Sequence, residues 1–464
     1  MDPEKSSKIK PRIIIHGGAG NITRKNLPSK AYAKYRHALL GILDEAYTKL
    51  RLPGATALDV AAHAVSLLEN NGLFNSGHGA VFTTEETHEL EASIMVSKGY
   101  RKRGVGIMNV TRAKNPIMVA REMLIKGEED DGGGAQGHVQ LQGPVVDRLA
   151  EEWGLEIVKP SYFWTRKRWD EHRRGMGRED DNGTYQRHRW RADHGHDKSD
   201  QVSRSDGGIE NDLTIDDLGW DGEEYLPQGT VGAVVLDSSG TVCCATSTGG
   251  LTNKLPGRIG DTPSLGAGFF AEEWTSIHTM PAPCLNPSLS LPVRLPTSLS
   301  TLLADCLPSV SGFLPLRSPN SASGKPLRTI HKTRAVAMSG TGNGDSFLRL
   351  SAVRTAAAMA RFKSGGSSDS SGGGDSSNMS ASDFEHFPLQ YAVTSVAGPN
   401  GMLQQSAEDR WHKTGEGEGG IIGIEFADGK GAVVYDYNCG GMFHAWIDDG
   451  GKARFQVFRD RVDV

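Results

Sequence analysis

The 464-residue chain carries a formal charge of −5 and 37% hydrophobic residues, so it has neither the basic surplus of a nucleic-acid binder nor a marked acidic excess. Residues 1–11 are charged rather than apolar, and no run of about eighteen apolar residues occurs, so neither a secretory leader nor a membrane span is expected. Five cysteines (Cys243, Cys244, Cys284, Cys306 and Cys439) lack metal-ligand spacing and point to a reducing compartment, the cytoplasm by default.

In chain order, a short strand is expected over residues 12–16, ending in Gly17-Gly18-Ala19-Gly20. Helices follow over 32–50 and 57–68, the second with Leu58, Ala61, Ala62, Val65 and Leu68 at helical spacing. A glycine-interrupted turn at 73–79 leads to strands at 80–83, 88–96 and 104–110. A helix over 116–126 has Pro116 suited to its first turn, and 145–158 reads as helix then strand. Beyond about residue 173 the chain mixes charges, His, Gly and Ser. It cannot bury enough surface there to offset its ordering entropy, so 173–229 is expected to be a mobile linker after an ordered core at 11–172.

Order resumes at Thr230, with strands over 230–237 and 241–247 joined by Ser238-Ser239-Gly240 as a hairpin. Residues 276–330, rich in Pro, Ser and Leu without periodicity, read as an insertion, either a tolerated surface loop or a retained intron. A buried strand at 335–339 leads through Gly340-Thr341-Gly342-Asn343-Gly344-Asp345 into one long amphipathic helix ending near residue 362. Residues 364–382 read as a flexible Gly/Ser loop, Ala392 lies in a further helix, and 419–426 with 431–438 form a final hairpin. Paired short strands flanked by long helices imply α/β layers on antiparallel sheets rather than βαβ repeats.

The chemistry concentrates at Gly229-Thr230-Val231-Gly232-Ala233-Val234, where a threonine opens an apolar strand directly after a solvated linker. A threonine hydroxyl needs a base within hydrogen-bond reach. A free α-amine on the same residue, with a pKa near 8, fills that role. Cleavage before Thr230 therefore creates the base and opens the site together. An isolated Gly-Thr pair ordinarily only packs or hydrogen-bonds in a strand. Here Thr246-Ser247-Thr248 clusters hydroxyls where a hairpin returns Thr248 beside Thr230. Arg258 and Asp261, close together in a turn-rich loop, suit the α-carboxylate and α-ammonium of an amino acid, or else pair with each other. The turn at 340–344, opening a helix, offers main-chain N–H groups to an oxyanion. His16, His88, Glu89 and Glu91 are read as structural.

These residues resemble the plant-type asparaginases and isoaspartyl peptidases, N-terminal-nucleophile hydrolases. The matching pieces are His16-Gly17-Gly18-Ala19-Gly20, Leu73-Phe74-Asn75-Ser76-Gly77, Glu86-Thr87-His88-Glu89-Leu90-Glu91-Ala92, Gly229 to Val234, Thr246 to Gly268 and Gly419 to Trp446. The resemblance implies a four-layer αββα sandwich. It implies an α subunit at 1–229 and a β subunit at 230–464, paired as an (αβ)2 dimer of heterodimers. Gly229-Thr230 would be the autocleavage site and Thr230 the nucleophile, tuned by Thr248. Arg258 and Asp261 would hold substrate with main-chain help from Gly342 and Gly344. Thr341 and Gly342 would form the oxyanion hole, and Asn75 would orient the nucleophile. No catalytic cofactor is implied, but a structural sodium is, held by main-chain carbonyls of Leu68, Glu69, Asn71, Phe74, Ser76 and His78. The implied substrates are β-aspartyl dipeptides and L-asparagine.

Two alternatives remain. Thr341-Gly342-Asn343-Gly344-Asp345 is also similar to glycosylasparaginases, which cleave N4-(β-N-acetylglucosaminyl)-L-asparagine, and threonine aspartases are a more distant third. Separately, residues 164–191 gather Arg, Lys, His, Trp and Tyr in a way that suits single-stranded nucleic acid. Asp170, Glu171, Glu179, Asp180 and Asp181 dilute that charge, and no nucleic-acid partner is expected.

Overall fold

The computed structural model describes residues 9–177, 229–281, 327–363, 388–460 and 462–463. Most of the expected linker, insertion and Gly/Ser loop lies outside the described residues. The chain divides into two units, Met1–Trp274 with Thr333–Val464, and Thr275–Lys332. The first contains every candidate site residue. Of the second, only the parts of two strands at 275–281 and 327–332 are described.

The fold is α/β, and the described strands form two sheets. The strands, in chain order, are β1 (Arg12–Gly20), β2 (Leu90–Val96), β3 (Gly104–Val110), β4 (Gln140–Gln142), β5 (Val231–Leu236), β6 (Val242–Thr248), β7 (Phe269–Pro281), β8 (Leu327–Gly342), β9 (Gly419–Ala427), β10 (Lys430–Tyr437), β11 (Gly441–Ile447), β12 (Ala453–Gln456) and β13 (Val462–Asp463). The nine-stranded sheet runs β13-β12-β11-β1-β5-β6-β2-β3-β4 and the four-stranded sheet β10-β9-β8-β7. The pairings are antiparallel as expected, apart from a short parallel pairing of β3 with β4.

The period-2 alternation of side chains assigns each strand residue to a face. Ile13, Ile15, Val231, Ala233, Val235, Cys243 and Ala245 pack with three helices, α1 (Ser29–Leu50), α2 (Ala57–Glu69) and α3 (Pro116–Ile125). Their neighbours Ile14, Val234, Leu236, Val242 and Cys244 turn the other way, against Ala335, Ala337, Ile422 and Ile424 of the second sheet. Beyond that sheet, Val336, Met338, Ile421 and Val434 pack with later helices through Ala356, Ala360, Leu389 and Val393. With both faces covered, β5 and β6 read as nearly continuous apolar runs. Helix α2 starts where Thr56 accepts the Asp59 N–H, and Pro116 sits in the first turn of α3 as expected.

Several expectations are revised. Residues 80–83 make no strand, only an isolated bridge from Thr83 to Lys254. Helix α4 (Pro144–Glu152) is followed by α5 (Arg166–Gly175), which runs into the expected linker. The helix after the 340–345 turn is broken at Ser351, whose φ of 45° separates α6 (Gly344–Leu350) from α7 (Ala352–Lys363). Two more helices, α8 (Pro388–Ala397) and the short α9 (Met402–Gln405), precede β9. The hairpin of β9 and β10 is not final, because β11 follows and pairs with β1.

Candidate active site

Three rows of residues lead outward along the face of the first sheet that meets the second. The innermost, Ile14, Val234 and Cys244, is apolar. Two residues on, His16 pairs with Gly232 and Gly232 with Thr246. There the face turns polar: His16 Nε2 and Thr246 Oγ1 lie 2.8 and 2.9 Å from Ser339 Oγ of β8. Burial drives the His16 pKa down to about 3, so its ring is neutral.

The third row carries the threonines. The β5–β6 ladder pairs Val231 with Ser247, and one further residue in that register sets Thr230 opposite Thr248 on the face used by Gly232 and Thr246. Both threonines are buried. Thr248 Oγ1 accepts the Gly250 N–H at 3.0 Å. On β8, Thr341 lies two residues beyond Ser339, and its hydroxyl accepts the Ala19 N–H at 3.1 Å.

Gly229 fits here only because it lacks a side chain. A Cβ would collide with Gly18 Cα and lie 2.5 Å from Ala19 N. The Gly229–Thr230 bond therefore runs against the β1 backbone, beside the amide that holds Thr341. Just before this point β1 shifts register between His16 and Gly18, the kind of bulge that re-aims a strand end.

Arg258, Asp261 and Gly344 converge. A Cβ on Gly344 would lie 2.6 Å from Asp261 Oδ1 and 3.1 Å from Arg258 Nη2. Among the described residues, Arg258 forms its ion pair with Asp345 rather than Asp261. Nη2 is 3.2 Å from Asp345 Oδ2 but lacks hydrogen-bond alignment. Burial, and then the neighbouring Glu91 charge, pushes the Asp261 carboxyl up to about 7, while Arg258 pulls it down. Helix α6, which begins at Gly344, has seven residues, so any oxyanion contact here comes from local N–H groups rather than a long helix dipole.

Glu91 is the residue that the sequence reading assigned no role in the site. It pairs with Thr248 across β2 and β6, and its Oε1 accepts the Gly260 N–H at 2.9 Å, between Arg258 and Asp261. Its pKa is raised by burial, with Lys254 and Arg258 opposing. Burial lowers the pKa of Lys254, whose Nζ donates to Glu89 O at 2.7 Å. The available signal was the Glu89-Leu90-Glu91 alternation, which puts two carboxylates on one face of the strand.

Asn75 reaches the turn after Thr248: its Nδ2 donates to Gly250 O at 2.8 Å and its Oδ1 accepts the Val81 N–H at 3.0 Å. In the 68–78 loop, Glu69 O accepts the His78 N–H (2.7 Å), Leu68 O the Asn71 N–H (3.2 Å) and Asn71 O the Phe74 N–H (3.1 Å). The Gly72 and Phe74 carbonyls converge beside Gly79, each 2.7 Å from where its Cβ would stand. Ser76 Oγ meets Ser247 Oγ at 2.7 Å. His88 is buried with Nδ1 on Val81 O at 3.2 Å, and burial takes its pKa to about 4.

Of the 164–191 segment, only 164–177 is described. Arg168 Nε donates to Gly79 O at 2.6 Å and Nη1 to Glu171 at 2.9 Å, while His172 Nδ1 lies 2.5 Å from Asn253 Oδ1. These basic side chains are spent inside the protein.

The sequence model of the family described as asparaginase matches residues 9–279. The chain belongs to the plant-type asparaginase and isoaspartyl peptidase family. It is 36% identical over 259 residues to an isoaspartyl peptidase of Escherichia coli, covering 56% of this chain and 67% of that one. It is 34% identical over 266 residues to a probable isoaspartyl peptidase/L-asparaginase of Arabidopsis thaliana, covering 57% and 73%. With a plant-type L-asparaginase of Pyrococcus furiosus the figures are 32% over 261 residues, 56% and 70%. The family match contains Thr230, Thr248, Arg258 and Asp261, whereas Thr341, Gly342 and Gly344 lie beyond it. Thr341 and Gly342 end β8 of the second sheet, and Gly344 opens α6 beside Asp261.

Proposed function

We propose that this protein is a threonine amidohydrolase that cuts itself between Gly229 and Thr230, then hydrolyses β-aspartyl dipeptides and the side-chain amide of L-asparagine. The observation that carries this reading is the continuity of the Thr230–Thr248 row with the Arg258–Asp261–Gly344 cradle. Glu91 spans the two, pairing with Thr248 and holding Gly260. The names of the relatives support this activity over that of a glycosylasparaginase.

In self-cleavage the Thr230 hydroxyl oxygen attacks the Gly229 carbonyl carbon and the C–N bond breaks. Water then hydrolyses the resulting ester, leaving a Gly229 carboxylate and a free Thr230 amine. In turnover that amine takes the hydroxyl proton as the oxygen attacks the substrate's side-chain carbonyl, and passes it to the leaving amine or ammonia. Water then releases aspartate from the Thr230 ester. Thr248 tunes the nucleophile, Thr341 and the Gly342 N–H stabilise the oxyanion, and Asn75 fixes the turn behind Thr248. Arg258 and Asp261 hold the α-carboxylate and α-ammonium, with Gly342 and Gly344 lending main-chain groups.

The three hydrophobic clusters, helices against sheet, sheet against sheet and sheet against helices, support a four-layer αββα sandwich. We read residues 1–229 and 230–464 as its two subunits, assembled as (αβ)2. A structural sodium in the 68–78 loop would be held by the main-chain carbonyls of Leu68, Glu69, Asn71, Phe74, Ser76 and His78, each of which keeps a lone pair beside any main-chain bond it accepts. Among the described residues no helix is long and apolar enough to cross a membrane. The free thiols Cys243, Cys244 and Cys439 suit a reducing cytoplasm.

The test is Thr230→Ala. The wild type should give two fragments on a denaturing gel, one beginning at Thr230, and should turn over β-aspartyl-leucine and asparagine. The variant should remain one chain and turn over neither. Full activity from uncut protein would overturn the reading.

A further inference from the structure

We propose that Glu91 binds substrate directly: with Asp261 it forms a two-carboxylate receptor for the α-ammonium of the aspartyl unit, while Arg258 takes the α-carboxylate. This rests on the function proposed above. Glu91 Oε2, Asp261 Oδ2, and Arg258 Nε and Nη2 are buried with no hydrogen-bond partner among the described residues. Two are carboxylate acceptors and two are guanidinium donors, and their side chains border the side-chain-free positions Gly260, Gly268 and Gly344; a Cβ on Gly268 would lie 2.8 Å from Asp261 Oδ2. A Cβ on Gly260 would lie 2.8 Å from Arg258 Nη1 and 3.2 Å from Glu91 Oε2. One on Gly344 would lie 2.6 Å from Asp261 Oδ1 and 3.1 Å from Arg258 Nη2.

Native proteins rarely leave buried polar atoms without a hydrogen bond. This set is complete only when a group bearing both signs enters, and an α-amino acid head does so. Its carboxylate meets the guanidinium donors. Its ammonium has three N–H donors, more than the open Asp261 oxygen alone can satisfy. Glu91 is held for this task at both ends, by its strand pairing with Thr248 and by Oε1 on the Gly260 N–H. Lys254 and Arg258 are the cations facing it, and Glu89 and Asp261 the anions.

The experiment uses matured E91Q, in which glutamine keeps an acceptor for the Gly260 N–H and loses the charge. Self-cleavage into pieces of 229 and 235 residues reports that the variant folds. Binding of L-aspartate is compared with that of succinate, which lacks only the amine, and kcat and KM are measured on β-aspartyl-leucine. L-Aspartate affinity should fall about tenfold and KM rise about tenfold, with kcat and succinate affinity little changed. An unchanged aspartate-to-succinate ratio overturns the proposal. So does equal weakening of both ligands, because Glu91 would then act only on loop shape. If E91Q does not mature, E91D decides, since its shorter reach should reduce the ratio and an unchanged ratio again overturns the proposal. Failure of the wild type to hydrolyse β-aspartyl amides would defeat the functional reading, yet the ligand comparison would still judge Glu91.

Discussion

Asp261 lies buried with one oxygen open, its carboxyl pushed up to about 7 by burial first and by Glu91 second. Its folded pKa exceeds the ordinary 3.8, so its share of stability is complete below about 3.8 and is lost as pH rises through about 7. A bound α-ammonium reverses that loss by supplying the counter-charge. L-Aspartate should therefore raise the melting temperature more at pH 8 than at pH 6, and its affinity should rise by up to about tenfold for each pH unit of increase towards 7, then level off. Asp261→Asn should bind weakly with most of this dependence gone. Calorimetry across pH checks both, and a flat wild-type profile would remove the role given to Asp261. That Thr230 opens an apolar strand and that Arg258 and Asp261 share one loop could be read from the sequence, because each belongs to a short local run. The place of Glu91 in the site could not, since it depends on the pairing of β2 with β6, across more than 150 residues of chain.

Long helices and hairpin strands announced themselves by period, which is why α1, α2, β5 and β6 were expected within a few residues of where they lie. Helix α5 was hidden because the residues it buries, Arg168, Glu171 and His172, are charged or polar: Arg168 and Glu171 pair with each other, and His172 bonds Asn253 and packs its ring on Phe82 and Trp169. Its partner is the loop carrying Lys254 and Arg258. His172 and Asn253 exchange contacts at 2.5 and 3.2 Å, and Asn253 holds a left-handed φ of 58°. The last described helix before the proposed cleavage site thus steadies the loop that carries Arg258 and Asp261. His172→Ala removes the partner of the half-buried Asn253 Oδ1, while its Nδ2 keeps the carbonyl of residue 172, at a cost of about 1 kcal/mol. It should raise KM for β-aspartyl-leucine severalfold while self-cleavage proceeds and kcat stays near wild type. An unchanged KM would mean that the loop holds its shape without α5.

Across the whole molecule, the proposed cleavage at Gly229–Thr230 would divide the first sheet in sequence but not in space. Strand β1, from the N-terminal piece, lies between β11 and β5 of the C-terminal piece, and β5–β6 in turn lies between β1 and β2. Three ladders therefore cross the cut, β1 with β11, β1 with β5, and β6 with β2. Their residues fill one shared core, in which Ile13 and Ile15 pack with Val231, Ala233 and Ala445. Neither piece alone covers that core, and each exposes long unpaired strand edges that favour aggregation. After cleavage the 229- and 235-residue pieces should co-elute in native buffer, separate only in denaturant and melt in one transition. Expressed singly, each should be insoluble, whereas joint expression should recover soluble protein. If either piece folded alone into a soluble monomer, the interlocked sheet would not be what holds the matured enzyme together.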